Sequence, residues 1–137
     1  MWAVTGKSMS PARIMVVDDD RETRRLLETV LTRNGYEVMT AANGLQLVRV
    51  LKVYRPDLIL LDVVMNWIDG FELCRMLKNH PEWKDIAVVF ITGLSEEQVE
   101  PQLAKLNAQG CYYKPIDIRD LLDGVSQLVA RRAASTA

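Results

Sequence analysis

Cysteine and histidine are scarce: this chain of 137 residues has two cysteines, Cys74 and Cys111, and one histidine, His80. They are too few and too scattered for a disulfide framework or a structural zinc site, and they suit a reduced, cytoplasmic setting. A long apolar run is also missing. The apolar runs are short and broken by polar residues, so neither a secretory signal nor a membrane span is expected. Nor is there an excess of one charge. Lys and Arg number 17 against 18 Asp and Glu, a net charge of −1, which argues against direct binding of nucleic acid. With 49 % hydrophobic and 26 % charged residues, the composition is that of an ordinary folded domain. The length suits one domain. It is expected over residues 13–131, with a leader at 1–12 and a tail at 132–137.

Five short apolar runs are present: Ile14–Val17, Glu37–Ala41, Leu58–Leu61, Ala87–Ile91 and Cys111–Tyr113. Near-continuous runs of this kind fit strands buried on both faces of a parallel sheet. Between them lie amphipathic stretches. Leu26, Leu27, Val30 and Leu31 form a first stripe, stopped by Asn34-Gly35. Leu45, Val48, Leu51 and Val53 form a second; Phe71, Leu73, Cys74 and Leu77 form a third. The last, from Ile118 through Leu121, Leu122, Val125, Leu128 and Val129, is the most regular. The fourth stretch opens on a capping-box pattern, Ser95 to Gln98, but Pro101 follows. Proline fits a first helical position better than an interior, so this helix is expected to be irregular or to begin near Glu100. The units recur at roughly two dozen residues, yet share no residue pattern that would signal a solenoid. The reading is an α/β fold, a doubly wound five-stranded parallel sheet with helices on both faces.

The polar residues cluster at the ends of these runs. The first ends in Asp18, Asp19 and Asp20, the third in Asp62, the fourth in Thr92 and the fifth in Lys114. The second run ends in nothing ionisable. Strand order 2-1-3-4-5 sets the four chemically loaded ends side by side, at the carboxyl edge where α/β sheets bind ligands. Neighbouring carboxylates resist joint ionisation unless a cation compensates, and all-oxygen ligands suit Mg²⁺. A carboxylate can attack phosphorus and form an acyl phosphate, with a metal, a lysine and a hydroxyl stabilising the transferring group. Asp62 is the natural nucleophile, Asp18 and Asp19 the metal carboxylates, and Lys114 and Thr92 the phosphoryl contacts.

The segments VVDDD at 16–20, DVVMNWIDG at 62–70, ITG at 91–93 and YKP at 113–115 resemble, in order and spacing, the receiver domains of two-component response regulators. The resemblance runs from about Arg13 to Arg131 and implies the flavodoxin-like fold of that family. It implies Asp62 as phosphoacceptor, Asp19 as a direct Mg²⁺ ligand, Asp18 acting through water, and the backbone carbonyl of Val64 as a further ligand. It implies Thr92 as the switch hydroxyl and Lys114 as the partner of the phosphorylated aspartate, aimed by a cis Lys114-Pro115 bond. The donor would be a phosphohistidine on a sensor histidine kinase or a histidine phosphotransfer protein, and the output a separate protein. By the same resemblance Val64 and Leu94 flank the approach of water to phosphorus, so a long-lived phosphoryl group is expected.

Three positions depart from the family pattern. Asn66 replaces the usual Pro of the loop, Cys111 the usual aromatic of the switch, and Asn107 the usual Gly before the fifth strand. Tyr112 is adjacent to Cys111 but should face the other side of the sheet. Plainer roles are expected elsewhere: Asp20 as a helix cap, Cys74 as core, His80 as a surface residue, and Arg131-Arg132 as a solvated helix end. Trp67 is either exposed near the site or spread over apolar surface. Two other functions share this chemistry. A Mg²⁺-dependent phosphohydrolase of the haloacid dehalogenase type needs two acids one residue apart after the first strand, whereas here they are adjacent. An unphosphorylated pseudo-receiver would have no need of all five polar positions.

Overall fold

The computed structural model describes residues 10–136. Most of the expected leader, residues 1–9, lies outside the described residues. Five strands alternate with five helices: β1 Arg13–Val17, α1 Arg21–Arg33, β2 Glu37–Ala41, α2 Gly44–Leu51, β3 Leu58–Asp62, α3 Gly70–Asn79, β4 Ala87–Thr92, α4 Glu96–Lys105, β5 Gly110–Tyr113 and α5 Ile118–Thr136. The strands are all parallel, in the order β2-β1-β3-β4-β5. The expected fold and strand order are the observed ones.

β1, β3 and β4 are apolar without alternation because both faces are covered. Met15, Val17, Ile59, Leu61, Val88 and Phe90 pack on one face with residues of α2 and α3. Ile14, Val16, Leu58, Leu60, Val89 and Ile91 pack on the other with Leu27 and Leu31 of α1 and Leu121 and Val125 of α5. Asp20 caps α1, its carboxylate accepting from the N–H groups of Glu22 and Thr23. Gly35, at φ +92°, ends the helix: its N–H donates to Thr32 O at 3.1 Å and that of Tyr36 to Leu31 O at 3.2 Å. Asn107 takes the left-handed conformation, φ +54°, that glycine usually supplies.

Five expectations need correction. In α1, Leu27 and Leu31 carry the burial, while Leu26 is half exposed and Val30 only partly covered. In α2 the buried residues are Leu47 and Leu51, one i,i+4 pair; Leu45 is exposed, and Val53 lies in the turn beyond the helix. α4 begins at Glu96 and continues unbroken past Pro101. The capping box holds its start, and Pro101 costs one hydrogen bond to Glu97, whose carbonyl lies on an exposed turn. Residues 132–136 of the expected tail instead continue α5, favoured by alanines and by a hydrogen bond from Arg132 to the Asp85 carbonyl; Ala137 lies outside the described residues. His80 is half-buried rather than free on the surface, stacked on Trp83 with ring centroids 3.8 Å apart.

Candidate functional site

Asp62 and Thr92 are the last residues of β3 and β4, and Asp18 and Lys114 follow β1 and β5 directly. Strand register brings these ends together: Val17 pairs with Leu61, Asp62 with Ile91 and Thr92 with Tyr113. Carboxylate oxygens of Asp18, Asp19 and Asp62 lie within 4.8 Å of one another. Asp18 and Asp62 are buried; Asp19 is exposed.

Each acid is held differently. Asp18 accepts from the N–H of Asp20 at 2.9 Å through Oδ1 and from Lys114 Nζ at 2.8 Å through Oδ2. Its own carbonyl accepts from Arg24 Nη1, at 2.8 Å, one turn into α1. Asp19 Oδ2 accepts from the N–H of Asn66 at 3.4 Å, a long contact that ties the two loops. Asp62 Oδ1 accepts from the N–H of Val64 at 3.3 Å, and its Oδ2 lies 3.6 Å from Lys114 Nζ. The loop after Asp62 turns back against the strand end, and Gly70 permits it: a Cβ there would stand 2.3 Å from the carbonyl oxygen of Asp62.

Burial raises the Asp62 carboxyl to about 6, and the charge of Asp18 adds to the effect; Lys114 and the Val64 N–H oppose it. For Lys114, burial acts to lower the ammonium. The hydrogen bond to Asp18 and the charges of Asp18 and Asp62 outweigh that and leave it above its ordinary value. The site therefore holds more negative charge than one lysine neutralises. Three hard oxygen donors that close form a donor set suited to a small divalent cation.

Thr92 is fully buried, and its Oγ1 accepts from the N–H of Leu94 at 3.1 Å, leaving the hydroxyl proton to donate. The peptide bond between Lys114 and Pro115 is cis, as expected. Asp20 stands apart as the α1 cap, with Thr23 Oγ1 donating to it at 2.6 Å; that bond, more than its backbone bonds, lowers its pKa.

Two neighbours of the site, Arg24 and Tyr113, had no role expected for them. Tyr113 lies on the same side of β5 as Cys111, two residues away, and is the register partner of Thr92. Its hydroxyl is buried with no hydrogen-bond partner among the described residues. Tyr112 faces the other side, over Gly124 of α5. Burial pushes the Cys111 thiol up to about 11. The period-two rule, applied to position 113 as well as 112, would have found Tyr113.

Residues 14–126 match the family model of the response regulator receiver domain. Among curated proteins, the response regulator PleD of Caulobacter vibrioides is 44 % identical over 106 residues, 77 % of this chain and 23 % of that protein. Sporulation initiation phosphotransferase F of Bacillus subtilis is 34 % identical over 119 residues, 87 % of this chain and 94 % of that one. Protein RcaC of Microchaete diplosiphon is 32 % identical over 121 residues, of which the chain spans only 19 % of the length. Among solved structures, the signal receiver domain of a histidine kinase from Syntrophus aciditrophicus superposes with a TM-score of 0.79 at 33 % identity, covering 87 % of this chain and 90 % of that one. Chemotaxis response regulator CheY4 of Vibrio cholerae does so with a TM-score of 0.80 at 26 % identity, covering 87 % and 99 %.

Proposed function

The chain belongs to the response regulator receiver family, and from that premise we propose that it is a phosphorylation switch with Asp62 as phosphoacceptor. One observation carries the reading: Asp18, Asp19 and Asp62 converge within 4.8 Å while Lys114 reaches both Asp18 and Asp62. A carboxylate oxygen of Asp62 attacks the phosphorus of a phosphohistidine. The P–N bond breaks, its electron pair returns to the imidazole nitrogen, which is protonated by solvent, and an acyl phosphate forms on Asp62. Asp19, Asp62 and the Val64 carbonyl would hold Mg²⁺ directly, with Asp18 acting through water, since both its oxygens are already engaged. When bound, the ion supplies charge neutralisation for the phosphoryl oxygens. The Lys114 ammonium meets one of those oxygens and the Thr92 hydroxyl donates to another. Thr92 then draws on the loop that carries Leu94, and its register partner Tyr113 lies beside it.

The donor in this reading is a sensor histidine kinase or a histidine phosphotransfer protein, and the phosphorylated form acts by binding an output protein. No contact with nucleic acid is invoked, and among the described residues no helix is long and apolar enough to cross a membrane.

Labelling with acetyl phosphate tests the reading. Wild type is expected to form a hydroxylamine-labile acyl phosphate only with Mg²⁺ present, and Asp62→Asn to form none. Full labelling of that variant removes Asp62 from the role. Asp19→Ala is expected to weaken Mg²⁺ binding and labelling together, because one hard oxygen ligand is lost; unchanged metal affinity would refute its assignment. Steady release of inorganic phosphate with no stable label would instead favour the phosphohydrolase.

A further inference from the structure

The loop beyond Asp62 exposes apolar side chains beside three carboxylates. Val64 is 59 % exposed and Trp67 is 96 % exposed. Trp67 also sits at φ +78°, with the N–H of Ile68 donating across it to Asn66 O at 3.0 Å. A bulky residue in this conformation is strained, and such strain gathers at functional sites. Packing does not repay it, because the indole lies in water. Asn or Gly would suit this turn better on every local ground. The indole does form one wall of a shallow, mainly apolar groove of about 390 Å³, shared with Val64, Ile68, Phe71 and Leu94 and lined also by Asp69.

We propose that this groove seats an apolar side chain of the phosphohistidine donor and that Trp67 anchors the donor over Asp62. The inference rests on Asp62 being the phosphoacceptor. Transfer is direct, so the phosphorus on the donor imidazole must come within about 3–3.5 Å of an Asp62 carboxylate oxygen. A protein–protein interface of ordinary size covers roughly 800 Å² on each partner, a disc reaching about 16 Å from its centre. Val63 and Val64, which line the groove, follow Asp62 directly in the chain. Any protein that delivers a phosphoryl group to Asp62 therefore covers the groove while doing so. The acids at the centre, and Asp69 in the groove lining, repel an anionic donor surface, whereas the apolar side chains of the groove attract an apolar one. Tryptophan is among the side chains most enriched at binding hot spots. A small donor such as acetyl phosphate reaches Asp62 without touching the indole.

Trp67→Gly is the discriminating variant, since glycine keeps the left-handed turn, relieves its strain and removes only the indole. The sensor kinases of the source organism, autophosphorylated with radiolabelled ATP, and its histidine phosphotransfer proteins, charged by those kinases, are each offered to wild type, Trp67→Gly, Trp67→Phe and Asp62→Asn; acetyl phosphate is the parallel donor. At least one phosphohistidine donor is expected to label wild type, and Trp67→Gly to lower its kcat/KM at least tenfold, mainly through KM. Trp67→Phe should recover much of the loss. Acetyl phosphate should label Trp67→Gly within twofold of wild type, and its thermal midpoint should equal or exceed that of wild type. Equal loss with both donors would mean damage to the acidic site and overturn the docking role. Undiminished transfer from that phosphohistidine donor, or no such donor that labels wild type, would overturn it too, as would a loss confined to self-association or output binding. Labelling of Asp62→Asn is a different failure, that of the phosphoacceptor assignment.

Discussion

Asp62 is the residue whose environment is least comfortable. Without a metal its carboxyl faces Asp18 and Asp19, with Lys114 as its ion-pair partner, and burial plus the Asp18 charge raise it from 3.8 to about 6. Because the folded value lies above the unfolded one, the native state holds the proton longer. Any stabilisation from this group is complete below about pH 4 and is lost as the pH rises through 6. Above that range the metal-free protein bears an uncompensated repulsion. In EDTA at pH 7.5, Asp62→Asn is therefore expected to be more stable than wild type by about 1–3 kcal/mol, several degrees in Tm. The advantage should shrink towards pH 4.5, and Mg²⁺ should stabilise wild type but not the variant. Thermal melts at the two pH values, with and without Mg²⁺, decide it; a gain independent of pH would show that charge is not its source.

At the scale of elements, α4 is the weakest held of the helices. Within it Val99 alone is fully buried, and Pro101 leaves the Glu97 carbonyl without its i+4 donor. A cap worth about 1 kcal/mol opposes an interior proline that can cost about 3, and the helix survives because the lost bond lies on a solvated turn. Pro101→Ala is expected to stabilise the protein by roughly 1–2 kcal/mol and to slow amide exchange across Val99–Lys105. Faster exchange there would mean that the proline stiffens the helix more than it strains it. The same balance explains why this helix was misjudged from sequence: propensity sees the proline but not which carbonyl it orphans. Strands were legible because burial on both faces writes itself as an unbroken apolar run, and Asp62, Thr92 and Lys114 were legible because they terminate such runs. Helix faces were less so, since Leu45 and Leu47 are equally apolar and only tertiary packing selects Leu47. The closer bond of Lys114 to Asp18 than to Asp62, and the hold of Arg24 on Asp18, depend on distances between elements that no spacing along the chain encodes.

For the whole molecule, the proposed switch with Asp62 as phosphoacceptor would stay on for a time set by how quickly water removes the phosphoryl group. Hydrolysis needs a water in line with the Asp62–phosphorus bond, on the open side of the site. In receivers the side chains two residues beyond the phosphoacceptor and two beyond the switch hydroxyl flank that approach. Here they are Val64 and Leu94, and both line the same apolar groove beside Asp62. Neither can donate or accept a hydrogen bond, so neither can orient the water, and their bulk narrows its path. The acyl phosphate should therefore outlast a typical encounter with an output protein, which favours a sustained signal over a brief one. Replacing both with polar groups, Val64→Asn with Leu94→Glu, supplies a hydrogen-bonding pair at the mouth of the site and is expected to speed decay by roughly tenfold. The check is loss of label from purified phosphoprotein in Mg²⁺, with Thr92 and Lys114 intact. The single variants should fall between, because each supplies only half of the water's hydrogen bonds. If the double variant decays no faster than wild type, the lifetime is set by Thr92 and Lys114 holding the phosphoryl group, not by the apolar side chains at its entrance.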